Sequence, residues 1–122
     1  MDIKGINKLM DDLKDNLGDG LLMSDISSFK IGSSVASHNA NPKTAALVNK
    51  FSKYLMDMIV KIGVGDSCDY YAVEVKGGMM MYVLLANDYC WSILVDTKQV
   101  PNGMVIVGVL PECIEGLKKA TK

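Results

Sequence analysis

The sequence predicts an α+β fold with its elements in the order α-β-β-α-β-β-β-α, and three observations carry the prediction. Residues 3–17 and 42–62 place apolar side chains at helical spacing, and the stretches between and after them have strand composition cut by tight-turn residues. No linker, repeat or low-complexity tract divides the 122 residues, so one domain, 1–122, is expected.

In the first helix Ile3, Ile6, Leu9, Met10, Leu13 and Leu17 recur at three- and four-residue steps among lysines and aspartates, and Gly18-Asp19-Gly20 ends it. Residues 21–25 and 31–37 read as two short strands, joined by a polar turn around Ser27, Ser28 and Lys30.

Asn41-Pro42 is a helix start, because asparagine caps free backbone N–H groups and proline fits the first helical position. The helix is predicted over 42–62, with the glycines at 63 and 65 as its stop. Leu47, Val48, Phe51, Leu55, Met58, Ile59 and Ile62 form the face expected to pack on the sheet. Beside them runs a second row, Ala45, Asn49, Ser52, Met56 and Val60. It reads either as a close helix contact with a partner or as the edge of a wide core stripe.

Residues 70–76, 79–86 and 90–96 follow as strands, joined by Gly77-Gly78 and by a turn beginning at Asn87-Asp88, which predicts an antiparallel meander. The first of them alternates Tyr71, Val73 and Val75 against Tyr70, Ala72, Glu74 and Lys76, so one side is expected to be core. Residues 103–122 allow two readings around Pro111: a sixth strand followed by a short helix, or one longer kinked helix beginning near Asn102.

Composition excludes several functions. Thirteen basic residues against fourteen acidic ones leave a net charge of −1 with no basic stripe, which argues against nucleic acid. Every basic residue is a lysine, so this chain supplies no arginine finger and no bidentate clamp. No apolar run approaches the roughly 20 residues of a membrane-spanning helix, and the charged N-terminal stretch lacks a signal-peptide core, so no membrane partner and a cytoplasmic location are expected. A 49% hydrophobic share and a mean hydropathy of +0.18 are high for a small domain and hint at a subunit interface.

The search for chemistry comes out empty. His38 is the only histidine and no G-x-S-x-G elbow surrounds a serine. Cys68, Cys90 and Cys113 are odd in number and widely spaced, which fits buried thiols rather than a zinc site or a disulfide framework. Lys43-Thr44 lacks the preceding glycines of a phosphate loop, and Asp11, Asp12 and Asp15 lie on a solvated helix face. One or more of Met79, Met80 and Met81 is expected in the core, since neighbours in a strand face opposite ways. No enzyme activity, metal or cofactor is expected.

The element order, the opening helix running into DGLLMSD, the helix start NPKTAALVNKF and the block VEVKGGMMMYVLLANDYCWSILVD together resemble the roadblock/LC7 (MglB-like) family of profilin-like domains, over nearly the whole chain. One segment departs from that family's pattern: Asp25 is followed by ISSFKIG rather than soon by the glycine of the first hairpin turn. The resemblance implies a central five-stranded antiparallel sheet flanked by helices. It also implies a homodimer in which the strand after the central helix pairs with its copy and the central helices pack together, working beside a small Ras-like GTPase or inside a larger complex.

On these grounds the dimer interface is expected at Asn49, Ser52, Met56 and Val60 of the central helix and Tyr70, Ala72 and Glu74 of the following strand. The GTPase is expected to meet Lys50, Lys53 and Asp57. The alternatives are a small-molecule sensor with a closed apolar cavity between sheet and helices, a structural subunit of a larger complex, and a small enzyme using His38 or a cysteine.

Overall fold

The computed structural model describes residues 1–122. Helix α1, Ile3–Leu17, begins where Asp2 accepts a 2.9 Å hydrogen bond from the Gly5 backbone and buries Ile6, Met10, Leu13 and Leu17. After a single 3-10 turn, strand β1, Leu21–Ser28, runs three residues beyond the predicted end, and β2, Ser34–His38, begins three residues after its predicted start. The expected polar turn is therefore strand as far as Ser28. Ser27 and Ser28 are buried rather than solvated, because Asn49 above them donates to the Ser27 hydroxyl and the Ser28 carbonyl. The turn glycine is Gly32, at φ +75°.

Helix α2, Pro42–Ile62, has the predicted bounds: Asn41 accepts from the Thr44 backbone at 2.8 Å and Gly63 closes the helix in the left-handed region. Strands β3, Tyr70–Val75, β4, Met79–Ala86, and β5, Tyr89–Asp96, form the predicted antiparallel meander, with Gly77 and Gly78 both at positive φ in the first turn. β5 also pairs with β1, which joins the meander to the first hairpin in one five-stranded antiparallel sheet of order β2-β1-β5-β4-β3. The open edges are β2 and β3.

The C-terminal segment is helical throughout, settling the alternatives in favour of one long helix, α3. It consists of an α-turn Asn102–Met104, a π-helical stretch Val105–Val109 and an α-helix Leu110–Ala120. Pro111 has no N–H to donate, and an ordinary helix would set its ring against the carbonyl four residues earlier; the wider π stretch ends just before it. The five-residue step from Val105 to Leu110 keeps both on the buried face, in phase with Cys113 and Leu117.

Helices α1 and α3 cover one sheet face and close a core over Ile26, Tyr82, Leu84, Trp91, Ile93 and Val95. Trp91 Nε1 donates to Ser24 Oγ at 2.8 Å, and that hydroxyl donates onward to the Ser92 carbonyl at 2.8 Å. Of the three consecutive methionines, all are half-buried: Met80 packs against this core and Met81 against the smaller cluster on the other face.

The second face, under α2, differs from expectation. The residues α2 buries fully are Ala45, Asn49 and Ser52, the row expected on its flank, while Leu47, Phe51, Met58 and Ile62 of the expected core face are exposed. The strand surface beneath the helix explains the rotation. Asp25, Ser27, Cys90 and Ser92 face α2, so small and hydrogen-bonding side chains fit there better than large apolar ones. Strand β3 also lacks the expected core side, because it lies at the edge: Tyr71 and Val75 are half-buried and Val73 is exposed.

Candidate interaction surface

Three rows run along α2 at three- and four-residue steps. The first, Ala45, Asn49, Ser52 and Met56, faces the subunit's own sheet. Asn49 Nδ2 lies 3.1 Å from both Ser27 Oγ and the Ser28 carbonyl, and Ser52 Oγ lies 2.8 Å from the Tyr71 hydroxyl. Asn49 and Ser52, expected at a subunit interface, are thus engaged inside the subunit. Met56 is half-buried and Val60, at the helix end, is exposed.

The second row points away from the sheet and is apolar: Leu47, Phe51, Tyr54, Met58 and Ile62 keep 59, 52, 64, 39 and 65% of their surface exposed. Sequence reasoning placed four of these in the core because the most apolar row of a helix normally goes inward. The strand surface opposite the inward row carries Asp25 and Ser27 of β1, whose place in a strand the structure reveals.

The apolar row adjoins β3 through Phe51, whose ring centroid is 5.8 Å from that of Tyr71. Beyond β4 the outer edge of β3 has no strand partner, and Tyr70, Ala72 and Glu74 are exposed on it. An edge of six residues without proline leaves backbone groups free for pairing.

The third row is polar: Lys50, Lys53, Asp57 and Lys61 are exposed, and no ion pair within the chain involves any of them. Lys53 Nζ lies 5.9 Å from the centre of the Phe29 ring, at the outer limit of a cation–π contact. With Lys43, α2 carries four lysines against one aspartate in a chain of net charge −1.

The remaining polar groups do not converge on a reaction centre. His38 Nε2 is 3.2 Å from Asn39 Nδ2, and no three His, Cys, Asp or Glu side chains come together as metal ligands would. Burial pushes the Cys90 thiol up to about 11 and the Cys113 thiol up to about 12, so both are held as neutral thiols. Burial also raises Asp25 above the ordinary carboxylate range, opposed by the hydroxyl of Ser34, which donates to Oδ1 at 2.5 Å, and by Ser37. The largest cavity, about 490 Å³, is an open cleft beside the end of α3; Lys118, Lys119 and Lys122 are among its ten lining residues, of which only three are hydrophobic.

A five-stranded antiparallel sheet of this order, with the long helix on one face and the two terminal helices on the other, is the roadblock/LC7 fold, and the chain has it. Among solved structures it is similar to the MglB of Myxococcus xanthus, with TM-score 0.82 and 14% identity over 98% of this chain and 89% of that one. The gliding protein MglB of Thermus thermophilus matches with TM-score 0.77 and 15% identity, covering 97% and 89%. A roadblock/LC7 domain from Streptomyces avermitilis matches with TM-score 0.74 and 16% identity, covering 93% and 95%. No family model matches the sequence, and no curated protein sequence matches it. No helix is long and apolar enough to cross a membrane.

Proposed function

We propose that this chain is a non-enzymatic homodimeric module that binds a small Ras-like GTPase as a regulator or scaffold. The observation that carries the proposal is the continuity of the exposed apolar row on α2 with the unpaired edge of β3. Five large apolar side chains in one exposed row favour a covering surface. A second copy covers them, and pairing β3 with its copy removes the open sheet edge at the same time. In this reading Tyr70, Ala72 and Glu74 keep their expected place in the interface and Met56 and Val60 border it. Leu47, Phe51, Tyr54, Met58 and Ile62 take the central positions, because Asn49 and Ser52 face inward.

The GTPase reading rests on the roadblock/LC7 fold and on Lys50, Lys53 and Asp57, which stay exposed beside the apolar row and free to meet a charged partner. With no arginine in the chain, any effect on GTP hydrolysis comes from repositioning the GTPase's own groups.

Sedimentation tests the dimer: the wild type is expected to be dimeric at tens of micromolar, on the order expected for an interface of standard size, and Tyr54→Lys monomeric. Capture of GTPases from the source cell, followed by binding assays in both nucleotide states, tests the partner. Recovery of no GTPase sinks the GTPase reading; equal binding in both states leaves a scaffold rather than a switch regulator.

A further inference from the structure

The two faces of the sheet are covered very unequally. Under α1 and α3 the core holds 17 buried apolar residues, whereas on the α2 side there are five: Ala45 of the helix with Phe29, Val83, Leu85 and Cys90. The helix side of the seam is thin, made by buried Ala45, Asn49 and Ser52 with Val48, Leu55, Met56 and Ile59 only half-buried. When the helix lifts, water replaces the partners of Asn49 and Ser52, so those hydrogen bonds oppose opening only weakly. The larger apolar row of the same helix faces away from the subunit, and residues 63–67, which tether its C-terminal end, are all exposed. Few buried apolar contacts and exposed tethers are the marks of an element that opens below the global unfolding free energy.

We propose that α2 opens from the sheet as a unit in the isolated subunit and is clamped down when two copies pair. The proposal rests on the homodimer reading and adds a regulation to it: Lys50, Lys53 and Asp57 hold one fixed arrangement only in the dimer, so dimerisation assembles the GTPase-binding surface. The size of the effect follows from mass action. A partner that binds only the closed form suppresses opening by one plus its concentration over the dissociation constant, about a hundredfold at a hundred times that constant.

Cys90 reports the opening. It is 1% exposed beneath α2, with Sγ 3.1 Å from Ser27 Oγ and 3.9 Å from Asn49 Nδ2, so a reagent reaches it only when the helix lifts. Cys113, on the opposite face and 8% exposed, is the internal control for opening outside α2. In a Cys68→Ser background, N-ethylmaleimide labelling of both thiols is followed by peptide mass across a dilution series and in Tyr54→Lys. Cys90 is expected to react at least about ten times faster than Cys113 at low concentration and to slow as the dimer forms. Ser52→Ala removes a contact of the closed form and is expected to speed Cys90 further. Equal Cys90 rates in monomer and dimer, or Cys90 and Cys113 reacting in step, overturn the proposal. Sedimentation of the same samples separates the two readings. A wild type that stays monomeric throughout removes the dimer and the clamp together. A dimer whose Cys90 rate is flat with concentration removes the clamp alone.

Discussion

Ser52 Oγ lies 2.8 Å from the Tyr71 hydroxyl, and this contact ties the sheet-facing row of α2 to the edge strand β3. The Tyr71 ring also meets Phe51 of the outward row, at an interplanar angle of 56°. One tyrosine therefore links the interior of the subunit to the surface through which two copies are proposed to meet.

The hydrogen bond is open to measurement by a double-mutant cycle. Ser52→Ala and Tyr71→Phe are each expected to lower stability by about 1 kcal/mol, with the double variant costing less than the two combined. Urea unfolding of the four proteins, at a concentration where all share one oligomeric state, gives the coupling. Strict additivity would refute the contact.

Ser24 carries a different load on the opposite face, where it accepts from the indole of the sole tryptophan, Trp91. Ser24→Ala leaves that buried N–H without its acceptor, and a loss of about 1–3 kcal/mol is expected. Trp91 fluorescence follows the unfolding directly. A midpoint equal to the wild type's shows that the indole finds another acceptor.

Asp25 gives a pH dependence with a definite sign. Its carboxyl is raised above the ordinary 3.8 chiefly by burial, so the folded state holds its proton more tightly than the unfolded chain does. The stabilisation this proton provides is complete below the unfolded value and is lost as pH rises through the raised folded one. Stability of the wild type minus that of Asp25→Asn, from urea unfolding at several pH values, is therefore expected to fall as pH rises from 3.8 upward. A difference that climbs over that range would contradict the burial argument.

At Lys53 the expected effect is kinetic. Lys53→Glu is predicted to slow association with the GTPase more than it speeds dissociation, because exposed charges steer encounter. Stopped-flow traces at rising salt should bring the variant and the wild type together. A change confined to dissociation would place Lys53 within the packed contact instead of at its rim.

What the sequence determined by itself is what short-range chemistry decides. Asn41-Pro42 and Gly63 set the bounds of α2, Gly77-Gly78 set the turn of the β3–β4 hairpin, and the periodicity of Ile6, Met10, Leu13 and Leu17 set the buried face of α1. Those signals act over a few residues, through φ preferences, capping and helical spacing. The tertiary structure decided the rotation of α2, the form of the C-terminal segment and the two open edges of the sheet. α2 has two competing faces, and only the strand surface brought beneath it, with Ser27 and Cys90 pointing up, selects the row with Asn49 and Ser52. Strand-like Val105 to Val109 became helix because Val105 shares the buried face of Leu110, Cys113 and Leu117 on the sheet. The row that α2 turns to its own sheet was not legible, since a helix's hydrophobic pattern shows which side chains avoid water without showing what covers them.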